Sequence, residues 1–161
     1  MVRLILSHKI RIALAAILTL LLISALLAGC SQKIPAEYKW FFDLPLDRQH
    51  DEVRKLPVEQ QMDIYFVAMG RHPPDKGFAY DIADSGVKAL PALIHRLEAE
   101  DSEFNQLYIL DVLEIMAERG YLQNRQETVA RLRRIVTQMK YQTTKQDGLK
   151  VLANIERHSV Q

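Results

Sequence analysis

Five apolar positions in one stretch, Val87, Leu90, Leu93, Ile94 and Leu97, return 42 residues later as Val129, Leu132, Ile135, Val136 and Met139. Their spacing is that of one face of an α-helix. The segments that follow keep the displacement, with Leu107, Ile109, Leu110 and Leu113 mapping onto Leu149, Val151, Leu152 and Ile155. Two helical hairpins are therefore expected, over about 87 to 119 and 125 to 157. Composition agrees: Gly and Pro are scarce, at six each, and Leu, Ala, Glu, Gln and Arg, which favour helices over strands, are abundant. The chain's single cysteine excludes an intramolecular disulfide and a four-thiolate metal site, so packing must hold the fold.

Local signals mark the same elements. Ser102 is placed to cap the second helix of the first hairpin, with Asn105 beyond it, and Gly120 to close it. Pro91 is tolerated only near a helix start. On the helix over 103 to 119 the polar side narrows to Asp111, Glu114 and Glu118, so the remaining sides must be packed, as in the inner helix of a stacked array. Upstream, "LPVEQQMDIYFVAMGRH" reads as a helix from Pro57. Its Ile64-Tyr65 aligns with Leu107-Tyr108, which makes it the expected inner helix of a degenerate first unit, partnered by the weakly patterned stretch 46 to 56. Residues 71 to 77 form a Pro- and Gly-bearing loop, followed by a short helix over Phe78 to Asp84.

The repeat length and the segment "ALPALIHRLEAEDSEFNQLYILDVLEIMAE" resemble a HEAT unit, with Leu90-Pro91 opening the first helix, an acidic turn at Glu100-Asp101-Ser102, and a more apolar second helix. Family members often carry Val-Arg early in the second helix, where this chain has Asn105-Gln106. The resemblance implies an all-α fold, a right-handed stack of helical hairpins or short HEAT-like α-solenoid, over residues 40–161 with units near 46–71, 86–119 and 124–157.

The first 29 residues are laid out as a secretory signal peptide: a start with Arg3, Lys9 and Arg11, the apolar block from Ile12 to Ala28, and a small-residue end. Leu27-Ala28-Gly29-Cys30 resembles a bacterial lipobox. The resemblance implies cleavage between Gly29 and Cys30, and diacylglycerol and an N-acyl chain on Cys30 as the only non-protein groups, with no other cofactor. Two or more acyl chains hold a protein firmly on a bilayer where one holds weakly. Two other readings stay open: the 17-residue apolar run lies at the short limit for spanning a bilayer as an uncleaved anchor, and Cys30 is incidental beside an ordinary cleavage site. Ser31 after Cys30, rather than Asp, implies export to the outer membrane, facing the periplasm. The linker "SQKIPAEYK", residues 31 to 39, is expected to reach at most about 30 Å when extended. Trp40-Phe41-Phe42 then either covers the open end of the core or dips among lipid headgroups.

Beyond residue 29 the chain carries 18 basic and 20 acidic side chains, a balance that leaves no footprint for nucleic acid. No zinc-protease helix, phosphate-cradling loop or nucleophile elbow is present. His50, His72, His95 and His158 stand at no metal-ligand spacing from one another. His72, Asp75, Asp81 and Asp84 are the best polar constellation, read either as a hard-cation or general-base site or as a solvated loop and helix face. His95 and Glu98 form a surface pair at i, i+3. Acids concentrate over 98 to 118 and bases over 125 to 150, so Asp111, Glu114, Glu118, Arg131 and Arg134 either guide a protein partner or balance one another across adjacent helices.

Together these features point to a membrane-anchored envelope lipoprotein that acts as a non-enzymatic protein-interaction scaffold. The alternatives are a lipid or glycan carrier, and an envelope enzyme built on His72, Asp75, Asp81 and Asp84. Fold-level analogy alone does not choose among them.

Overall fold

The computed structural model describes residues 33–71 and 73–158. The signal peptide, the cleavage point at Gly29 and Cys30, Ser31 and His72 lie outside the described residues. The compact unit that contains the described helices starts at Ile34.

Eight α-helices follow in order: α1 (Lys39–Phe42), α2 (Leu46–Val53), α3 (Val58–Met69), α4 (Gly77–Asp84), α5 (Leu90–Ala99), α6 (Glu103–Glu118), α7 (Arg125–Gln138) and α8 (Gln142–His158). Short 3-10 turns at Ala36–Tyr38 and Gly86–Ala89 lead into α1 and α5, and no strand occurs among the described residues. The all-α fold expected from the sequence is what forms.

Helix ends use the residues the sequence offers. Ser102 Oγ accepts the Asn105 N–H at 3.4 Å at the start of α6. At its other end Tyr121 N–H donates to Met116 O at 2.8 Å and Gly120 N–H to Ala117 O at 3.0 Å, the paired bonds of a left-handed C-terminal cap. Gly120 meets that geometry with φ +75°, which a side chain would strain. Pro91 sits in the first turn of α5, where its missing N–H costs nothing.

Contacts between helices fall into two rows. α4, α6 and α8 lie side by side, with α2 flanking α4; α3 packs on α5, and α7 on α8. An ion pair between Glu98 and Arg131 joins α5 to α7. The core threads between the rows, with Ile64, Ile82, Leu93, Leu97, Ile109, Leu113, Met116, Leu132, Val136 and Ile155 all without exposed surface. Each such aliphatic side chain contributes roughly 1.5–3 kcal/mol through its burial.

The geometry corrects three sequence expectations. The turn between α5 and α6 begins at Glu100 and that between α7 and α8 at Met139, so the hairpins repeat every 39 residues rather than 42. The buried pairs Leu93/Leu132, Leu97/Val136, Leu113/Leu152 and Met116/Ile155 keep that spacing, but Leu90/Leu132, Ile94/Val136, Leu110/Leu152 and Leu113/Ile155 are buried as well at 42, so burial does not separate the two. A helix compared with itself matches again after three or four residues, so apolar positions alone slid the register by about a turn, and only the turn residues fix it.

Second, α3 is not the partner of the 46 to 56 stretch. It packs on α4, α5 and α6, while α2 packs on α4, so the first hairpin is α3 with α4. The loop of residues 70 to 76 between them hid this pairing. Third, the expected linker is largely folded: Ile34 and Tyr38 pack against the core, and the Tyr38 hydroxyl donates to Asp63 Oδ2 at 2.9 Å. Phe41 and Phe42 are buried while Trp40 is 51% exposed, so two of the three rings cover the end of the core.

Candidate functional site

α6 is the most enclosed of the three longest helices, and its one polar stripe lines a groove. Asp111, Glu114 and Glu118, with Ile115, form one wall; Tyr65, Lys76, Ala79 and Tyr80 from α3, α4 and the loop before it form the other, around about 270 Å³. Sequence and packing together produce this wall: i, i+3 and i+7 stay on one side while Val112, Leu113, Met116 and Ala117 turn inward. On the α8 side, Asn154 Nδ2 donates to Glu114 Oε1 at 2.6 Å and His158 Nε2 lies 3.8 Å from Glu118. Asp84 and Arg119 pair at one end, with the Arg119 guanidinium 5.9 Å from the Tyr80 ring centre.

Asp111 is the most perturbed carboxyl in the groove. Desolvation by its neighbours raises its pKa to about 6; Lys76 pulls the other way, and the nearby Glu114 pushes it up further. Burial also lifts the Tyr65 hydroxyl far above the ordinary phenol range, with Asp111 adding to the effect. The groove therefore holds one carboxyl, Asp111, that water solvates poorly, flanked by the half-exposed ring of Tyr80.

The two arginines grouped with these acids in the sequence lie elsewhere. Arg131 grips Glu98 through Nε at 3.0 Å and Nη2 at 2.8 Å, which is the balancing of neighbouring units across adjacent helices. It lines a separate hollow of about 320 Å³ with His95 and Glu98. Arg134 is exposed on α7. The five residues are not one patch: the structure brings Asp111, Glu114 and Glu118 together and places both arginines on another row.

The His72, Asp75, Asp81, Asp84 constellation also divides. Asp84 belongs to Arg119. Asp81, 2% exposed, receives His50 Nδ1 and both Arg54 Nε at 2.8 Å and an Arg54 terminal nitrogen at 2.6 Å. Asp75 Oδ1 accepts the Gly77 N–H at 2.8 Å, and its Oδ2 lies 3.9 Å from His50 Nε2. Gly77 is required there, since a Cβ would sit 2.8 Å from His50 Cε1. The arrangement clamps α2 to α4; no group of three metal-ligating side chains forms among the described residues.

Sequence reading missed His50, Arg54, Lys76, Tyr80 and Asn154. The signal for His50 and Arg54 was their i, i+4 spacing on α2, facing two aspartates, but only the fold shows which helix they meet. No family model, characterised protein or solved structure matches the chain.

Proposed function

We propose that this chain is a bacterial envelope lipoprotein whose helical part is a non-enzymatic interaction scaffold. Cleavage before Cys30 and acylation of that residue hold it on the outer membrane, facing the periplasm, and its helices form a short HEAT-like, right-handed α-solenoid that binds a protein partner. The anchor rests on Leu27-Ala28-Gly29-Cys30. The solenoid reading draws on the two rows of helices and the 39-residue recurrence of the last two hairpins.

The observation that carries the binding role is the acidic groove of α6. A partner that presents Lys or Arg there gains from one carboxylate, Asp111, already stripped of much of its water, and Tyr80 offers an aromatic surface for the basic side chain's stem. Asp81 is committed to His50 and Arg54, and Asp84 to Arg119, which supports the scaffold reading over the enzymatic alternative.

The test compares wild type, Cys30→Ala and the double variant Glu114→Lys/Glu118→Lys after membrane fractionation, with intact mass and cross-linked co-purification. The expected result is an acylated, cleaved wild type in the outer membrane, and a cross-linked partner that the charge-reversed variant loses while it stays folded, its melting temperature lowered only by the lost Glu114–Asn154 rim contact. An unacylated full-length wild type overturns the anchor; a partner set identical in the charge-reversed variant overturns the groove.

A further inference from the structure

The folded unit starts close to the residue that would carry the anchor. Ile34 and Tyr38 are packed on the core, which leaves Ser31, Gln32 and Lys33 between it and Cys30. Four residue steps extend to about 14 Å at most, at ~3.6 Å per residue, less than half the reach expected from an unfolded nine-residue linker. A bilayer holding Cys30 therefore also holds the surface around Ile34 at its headgroups.

That surface is suited to the place. Residues 36 to 43 turn Phe41 and Phe42 inward and present Ala36, Glu37, Lys39, Trp40 and Asp43 outward. Trp40 is half-exposed although its neighbours bury well, its ring meeting Phe41 edge-on at 5.8 Å. Such an indole left in water forgoes burial of its large apolar body, whereas the headgroup layer takes that body and leaves its N–H a partner. Beside it, Lys39 has the stem and charge to reach headgroup phosphates. The Arg71 guanidinium stacks on Phe42 at 4.9 Å and continues this edge to a hollow rimmed by the exposed Leu46, Pro73 and Pro74.

We propose that the outer face of α1, centred on Trp40, docks on the bilayer that holds the Cys30 acyl chains; this rests on the lipoprotein reading above. Tyr38 ties the segment to α3 and α5 through Asp63 and Arg96, and α3 also carries Tyr65 in the wall of the α6 groove.

Trp40 is the chain's only tryptophan, so intrinsic fluorescence reports on this face alone. Acylated full-length-processed protein, verified by intact mass, is reconstituted in phosphatidylethanolamine/phosphatidylglycerol vesicles, plain or with lipids brominated near or far from the headgroup. The expected result is a blue-shifted emission, stronger quenching by the shallow bromines than by the deep ones, and loss of acrylamide quenching. An acylated, vesicle-bound protein whose Trp40 is quenched by acrylamide and not by bromine overturns the docking and leaves the anchor standing. A protein whose mass shows no acyl chain overturns both.

Discussion

Two seams between neighbouring helices in the same row are built on opposite principles. Where α2 meets α4, a buried carboxylate, Asp81, is shared by His50 and Arg54. Where α6 meets α8, the interior is mostly apolar, with Leu113, Met116, Leu152 and Ile155 buried; Glu114 to Asn154 stays at the rim, and the buried Thr144 hydroxyl is satisfied by Glu103. The apolar seam gains from each side chain removed from water. The charged seam must first offset the desolvation of Asp81, so its worth lies in fixing which helix meets which and at what register. A short α2 with only Gln49 and Val53 buried has too little apolar surface to be positioned otherwise.

The largest expected effect breaks the apolar seam. Leu113→Ala leaves a cavity in fully buried surroundings and costs about 4 kcal/mol, read as a drop in the denaturation midpoint that is insensitive to salt and pH. Next, Asp81→Ala strands the cations of the charged seam and costs about 3 kcal/mol, in the range for removing one partner of a buried pair. The two seams are told apart by a double-mutant cycle: Arg54→Ala on top of Asp81→Ala should cost far less than it does alone, whereas it should add fully to Leu113→Ala. Additivity with Asp81→Ala would show that the clamp is not a coupled unit.

The same contrast explains what was legible in the sequence. The helices α5 to α8 announced themselves because apolar side chains recur at helical spacing, and Ser102, Pro91 and Gly120 marked their ends. The polar stripe of α6 was visible for the same reason, as the positions left over. Periodicity could not fix the hairpin register, since Leu90 matches Leu132 at one displacement and Leu93 matches it at another; the turns at Glu100 and Met139 decide. Nor could it find the Asp81 clamp or the groove wall of Lys76 and Tyr80. These depend on long-range placement of charged and aromatic side chains on short helices, and no local pattern encodes which carboxylate a given arginine will meet.

A smaller effect concerns the groove, where the α6 seam itself carries charge at its edge. Asp111 has a folded-state pKa of about 6, above its ordinary value of 3.8, so the folded protein binds the proton more tightly than the unfolded chain. Its contribution to stability is fully present below about pH 4 and is lost as pH rises through about 6. Asp111→Asn should therefore stabilise the protein near pH 7.5 by about 1 kcal/mol, the shift being discounted for the solvent that reaches this half-buried site. The gain should vanish at pH 4. A melting-temperature difference between variant and wild type that does not change over pH 4 to 7.5 would mean that water already solvates Asp111, and the groove would lose its desolvated charge.

The smallest effect is expected at the Glu98–Arg131 pair, which supplies the outer row with a polar seam of its own. The geometry is bidentate, yet both side chains keep about two-fifths of their surface in water, so side-chain entropy and screening offset most of the attraction. Arg131→Ala should cost about 0.5 kcal/mol at low salt, and most of that should disappear at 1 M, where the screening length falls to about 3 Å. The clamp at Asp81, whose carboxylate is shielded although Arg54 is half-exposed, should keep more of its worth under the same salt. What charge contributes to this fold therefore follows its burial: buried at Asp81 it decides which helices pair, half-buried at Asp111 it costs stability above about pH 6, and exposed at Arg131 it only trims the stability of a row that apolar packing has already set.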